Sequence, residues 1–165
     1  MPGVDGPSGF GAGGSGGAGG SVPQPLLLRT SWRPMLDRWA NRKSYMATVE
    51  TSSITLEFDI PKTDRMLITR FTTTKSLLVV FMTNGRTLKP DQLAVAAAAA
   101  NAWNTEQLVP MLSVWDVRGP HPCIAGVCVL PLSCRLTQPD FDVLADEWVE
   151  HGRAMFARCR ELFRI

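Results

Sequence analysis

Four cysteines and two histidines are the residues of this 165-residue chain best equipped for metal or nucleophilic chemistry. Cys123, Cys128 and Cys134 follow one another as C-x4-C-x5-C, Cys159 lies far downstream, and His121 stands just before the first of them. A structural zinc site usually presents its thiolates as pairs two to four residues apart on a knuckle. Here the spacing is looser, and Cys123 and Cys128 have opposite parity along a strand, so the thiols are expected to be small buried hydrophobes. His121 sits between two prolines in a turn, and His151 lies on the charged side of a helix, one turn after Glu147. His151 is expected to be solvated, and His121 to be a turn residue rather than a ligand. Neither a metal nor a cofactor is expected. Nucleophile-elbow, zincin, phosphate-loop and dinucleotide fingerprints are missing from the folded part, and Ser113 and Ser133 have no evident base partner. One alternative stays open: a small-molecule sensor, or a metal-dependent enzyme using Cys123, Cys128 and His121.

A second group of polar residues is more informative. Asn101 and Asn104 flank Trp103 near the end of an alanine-rich stretch. Asparagine is a poor residue inside a helix because its amide competes for backbone bonds. Two of them beside a tryptophan therefore suggest a helix end tied to the chain as it turns toward Pro110. The same amides could instead line a ligand cleft.

The elements that must position these groups follow from patterning. Hydrophobic residues make up 45% of the chain and the formal net charge is +2, which suits a folded domain but gives no electrostatic footprint for nucleic acid or a membrane surface. The longest apolar run, Leu93 to Ala100, is far short of the ~20 residues of a membrane span. No basic-then-apolar leader opens the sequence, so a cytoplasmic location with reduced thiols is expected. Gly3 to Ser21 offers almost nothing to bury, and residues 1–33 are expected to be a disordered glycine-rich tail and linker, with Leu26 to Leu28 docking on the domain.

The domain itself is expected over 34–165. Pro34 suits the first turn of a helix carrying Met35, Leu36, Trp39 and Ala40. Thr48 to Asp59 alternates as one half-buried strand, and Arg65 to Thr73 reads as a second. Ser76 to Thr83 is apolar on both parities, predicting a central strand covered on both faces. Pro90 to Gln107 predicts a helix facing inward through Leu93, Ala96, Ala97, Ala100 and Trp103. Met111 to Val117 and Cys123 to Cys134 predict two more strands, with Gly126 and Pro131 hinting at a bulge or an edge. The last helix is capped by Thr137 and carries an apolar stripe from Phe141 to Leu162, with acids in its first half and arginines in its second. The order is α-β-β-β-α-β-β-α, an α+β domain with helices packed on a five-stranded antiparallel sheet.

With its Asn101-Ala102-Trp103-Asn104 element, then two strands and a closing amphipathic helix, the chain resembles the YbjN-like family over about Met35 to Phe163. The resemblance implies a fold like that of type III secretion chaperones. It also implies a non-catalytic role in protein binding, chaperoning or sensory transduction regulation. It brings no catalytic residues. With no catalytic set assembled, an interaction module able to form a homodimer is expected, its protein partner unnamed by the residues. The glycine-rich N-terminus and the Pro120-His121-Pro122 turn depart from the family pattern.

Overall fold

The computed structural model describes residues 23–165, so the glycine-rich segment up to Ser21 lies outside the described residues. The first strand, β1 (Leu26–Leu27), leads directly into helix α1 (Leu28–Arg42). The helix thus starts six residues before Pro34, and the expected domain boundary at residue 33 falls within it. Pro34 forfeits a backbone bond in the middle of a helix, at a cost of about 3 kcal/mol. Burial of Leu28 and Trp32 from the turns before it outweighs that loss. The entry is pinned as well: the N–H groups of Leu28 and Arg29 donate to the carbonyls of Cys134 and Leu132 at 2.9 and 3.0 Å.

The expected single strand over Thr48 to Asp59 is a hairpin, β2 (Ala47–Val49) and β3 (Ser53–Asp59). Its turn closes through Glu50, whose N–H donates to the Ser53 carbonyl at 2.9 Å while its carboxylate accepts from Ser53 Oγ at 2.6 Å. Strands β4 (Met66–Thr73) and β5 (Leu77–Thr83) follow. A single 3-10 turn then enters α2 (Leu93–Glu106), followed by β6 (Met111–Trp115), β7 (Cys123–Pro131), the short β8 (Arg135–Leu136) and α3 (Gln138–Arg158). The main sheet is therefore six-stranded, not five, in the order β2-β3-β4-β5-β7-β6, antiparallel throughout, and β1 pairs with β8 apart from it. The class is α+β.

Thr137 caps α3 as expected, accepting from the Asp140 N–H while Asp140 accepts from the Thr137 N–H. Two glycines let α3 lie close on the sheet. A Cβ on Gly152 would stand 2.7 Å from Met82 Sδ, and one on Gly126 would stand 2.4 Å from Met155 Cε. Gly126 therefore marks no bulge or edge. It pairs in register with Met82 and Leu112 inside the sheet, where only a bare Cα leaves room for the helix. The alanine helix faces inward through Ala96, Ala99, Ala100 and Trp103, and Ala97 is exposed. Leu162 is exposed too, because the last turn (Cys159–Phe163) opens into a π-helix and leaves the stripe.

Candidate functional site

The three asparagine–tryptophan residues do not act together. Trp103 is buried and its Nε1 donates to the Pro110 carbonyl at 2.8 Å. The Asn104 side chain makes both bonds that a neighbouring strand would make: Nδ2 donates to the Leu112 carbonyl and Oδ1 accepts from the Leu112 N–H, each at 2.9 Å. The amide thus stands in for backbone at the start of the edge strand β6. Asn101 is exposed, one turn away on the solvent side. None of the four main recesses among the described residues is lined by α2.

The cysteines and histidines are also separated. Cys123 is half-buried at the start of β7, and Cys128 is buried further along it on the opposite parity. His121 is exposed in the loop before β7, where its N–H donates to Asp116 Oδ2 at 3.1 Å, and His151 is exposed on α3. Among the described residues no group of three or more His, Cys, Asp or Glu side chains is placed to hold a metal ion.

Burial pushes the Cys128 thiol up to about 12 and the Cys159 thiol up to about 11, and it raises Cys123 as well. The fold therefore favours the protonated thiols. The stability this provides is full below the ordinary thiol pKa and is lost as pH rises through the raised values. The thiolate is the attacking form, so iodoacetamide near pH ~8 is expected to label at most Cys123 and Cys134 in the native protein. All four should react in denaturant, and mass spectrometry counts them. Rapid native labelling of Cys128 or Cys159 would contradict this packing.

The feature that stands out is a sheet face. Directly paired residues in an antiparallel sheet share a face. The helices cover the face bearing Leu67, Phe71, Met82 and Gly126, as the Phe71–Trp148 ring pair at 6.1 Å and the Gly152–Met82 approach show. The other face carries no helix. Its β2–β4 half is largely polar, with Thr48, Thr55, Arg70 and Glu57 in paired positions. Its other half is apolar. Phe81, Val127 and Met111 form one row across β5, β7 and β6, and Val79 pairs with Val129 in the next. Trp115 meets Phe81 edge-on at 5.1 Å. Met111, Val129 and Trp115 are 57%, 52% and 46% exposed.

β5 is thus central in the sheet but covered on one face only, contrary to the reading of its continuous apolar run. Its Leu78, Val80 and Met82 are buried, and Leu77, Val79 and Phe81 are half-buried on the open side.

The patch continues around the sheet edge. β6 begins at Met111 opposite Val127, so the last residues of β7 have no strand beyond them on that side. A groove of about 340 Å³ lies there, lined by Leu108, Val109, Met111, Val129, Leu144 and Trp148 among others. Leu108 is 90% exposed. Contiguous exposed apolar surface of this kind marks interaction sites in folded domains. One signal for it was present in the sequence: β5 and the second half of β7 are apolar on both parities, while the described residues hold only three α-helices to cover them.

No family model matches the chain, and no curated protein matches it significantly. Solved structures do. The fold is similar to that of YbjN from E. coli, described as a candidate transcription regulator, with a TM-score of 0.63 and 12% sequence identity over 78% of this chain and 90% of that one. At that identity the likeness establishes the fold, which is YbjN-like, and leaves the activity open. No helix among the described residues is long and apolar enough to cross a membrane.

Proposed function

Starting from this YbjN-like fold, we propose that the chain is a non-catalytic, cytoplasmic protein-binding domain of regulatory or chaperone-like type, and that it binds its partner protein through the open apolar half of the sheet. The observation that carries this reading is the exposure of Met111, Trp115 and Val129 beside Phe81 on one uncovered face. A solvent-facing antiparallel sheet is ordinarily polar on that side. Here polar residues hold that rule on β2 to β4 and abandon it on β5 to β7.

Aromatic side chains at the centre of such a patch are the usual anchors of binding energy. The buried side supports the same view: the small alanines of α2 and the two glycines under α3 close the interior against a ligand. The test compares the full chain with a Trp115→Asp/Val129→Asp variant in affinity capture from cells, with light scattering on each. Both altered residues are about half exposed, Trp115 at 46% and Val129 at 52%, so the variant should keep the parent fold and melting temperature. Wild type is expected to retain a specific protein, or a second copy of itself, and the variant to lose it by about tenfold or more. A strictly monomeric wild type that retains nothing would sink the reading, as would a variant that binds equally well.

A further inference from the structure

A second concentration of chemistry lies at the end of the molecule where the last helix opens. Arg65, Arg86 and Arg160 line one narrow recess together with Asn84, over an apolar floor of Ile60, Phe156 and Ile165. An outer groove of about 430 Å³ shares Thr63 and Arg160 with it and adds Lys62 and Glu161. Three separate segments bring these groups together: the turn after β3, the loop after β5, and the π-helical turn Cys159–Phe163.

Some cations of this domain meet carboxylates, as Arg42 meets Asp142 and Arg158 meets Glu106 through two bonds, and others among the described residues, such as Arg29, Arg118 and Arg135, do not. Those gathered at this recess are mostly of the second kind. Among the described residues Lys62, Arg86 and Arg160 have no carboxylate within ion-pairing distance, and Arg65 reaches only its neighbour Asp64, at 3.8 Å and largely in solvent. An exposed pair of that kind contributes little. Glu161 is the one acidic side chain lining either recess.

The surroundings are also built to hold the donors still. Arg86 Nη1 donates to the Arg164 carbonyl at 3.1 Å, which fixes one side of its guanidinium fork. Asn84 is 8% exposed, and its Oδ1 accepts from the Arg86 N–H at 3.1 Å, so its Nδ2 is left as a donor with no protein acceptor among the described residues. Lys62 and Arg164 both hold left-handed backbone, at φ 62° and 59°. Such conformations in residues other than glycine collect at ligand clamps and switches, and π-helical turns are frequent at functional sites.

We infer that this recess is a binding site for the terminal phosphate of a small phosphorylated molecule. Guanidinium forks match phosphate oxygens two at a time, and an apolar floor strengthens each bond by lowering the local dielectric. The narrow recess admits an oxygen, and the outer groove has the size of a small-ligand pocket. A nucleic-acid backbone would need a stripe of free cations along the surface, whereas here they gather at one point.

Titration of the full chain with inorganic phosphate and with pyrophosphate at constant ionic strength, followed by amide NMR, tests this. One saturable site is expected, with shifts centred on Thr63, Asn84 and Arg160. Arg160→Glu is expected to weaken binding about tenfold or more, and Arg118→Glu, a reversal in an exposed turn, to leave it unchanged. Arg160 is exposed and makes no cross-chain bond, so its variant should melt with the parent protein; Arg86→Ala serves as a second variant. Three results would overturn the site: no saturation by about 10 mM, equal weakening by both charge reversals, or tighter binding of a single-stranded oligonucleotide than of pyrophosphate.

Discussion

Trp39→Ala is expected to cost about 3–5 kcal/mol of unfolding free energy. Trp39 is the largest of the fully buried side chains and is 1% exposed. Its ring meets Tyr45 at 5.3 Å and Phe58 at 6.4 Å, and Tyr45 meets Phe58 edge-on at 5.0 Å. Its Nε1 also donates to Asp146 Oδ1 at 3.0 Å, where Lys43 holds the other carboxylate oxygen at 3.0 Å. One side chain therefore fills the space between α1 and β3 and fastens α1 to α3.

Alanine would leave a cavity and take from Asp146 Oδ1 its indole donor. Trp39→Phe keeps most of the volume and loses only the bond, so its cost should be about 1–2 kcal/mol. Urea unfolding with unchanged slope measures both. A Trp39→Ala cost under about 1 kcal/mol would mean that α1 is not seated on the sheet as described.

Asn104→Ala is expected to cost about 2–4 kcal/mol, because it orphans two backbone groups at once. Leu112 is 1% exposed, so neither its N–H nor its carbonyl can turn to water when the amide is removed. Asn104→Asp should be nearly as harmful: it keeps the acceptor for the Leu112 N–H but turns a negative oxygen toward the Leu112 carbonyl. Asn101→Ala provides the contrast. Its side chain is exposed, and the change should fall within about 0.5 kcal/mol. Thermal and urea unfolding of the three variants decides the matter. Equal losses at Asn101 and Asn104 would show that the motif acts as one unit rather than through the Leu112 tie.

Much of the fold was legible in the chain. The Thr137 and Asp140 box and the stripe from Phe141 to Cys159 mark α3 because helix capping and 3.6-residue periodicity are local properties. The α+β class followed from element order, and the resemblance carried by Asn101, Trp103 and Asn104 pointed to the YbjN-like fold that the structural likeness bears out. The errors have a common origin. Pro34 marked a helix start by local preference, yet burial of Leu28 and Trp32 extends the helix back through it. The Glu50 to Ser52 turn was hidden inside an alternating run because polar turn residues fit the strand period.

What the sequence alone determined is the set of elements, since caps, periods and turn residues act over a few positions. Tertiary structure decided which faces are covered. Whether Phe81 and Val129 look into a core or into solvent depends on three helices sharing one side of the sheet. Whether Arg65, Arg86 and Arg160 meet depends on three segments, the first and last of them 95 residues apart, arriving at one end. No local pattern encodes either outcome, because both arise from the packing of elements that are distant along the chain.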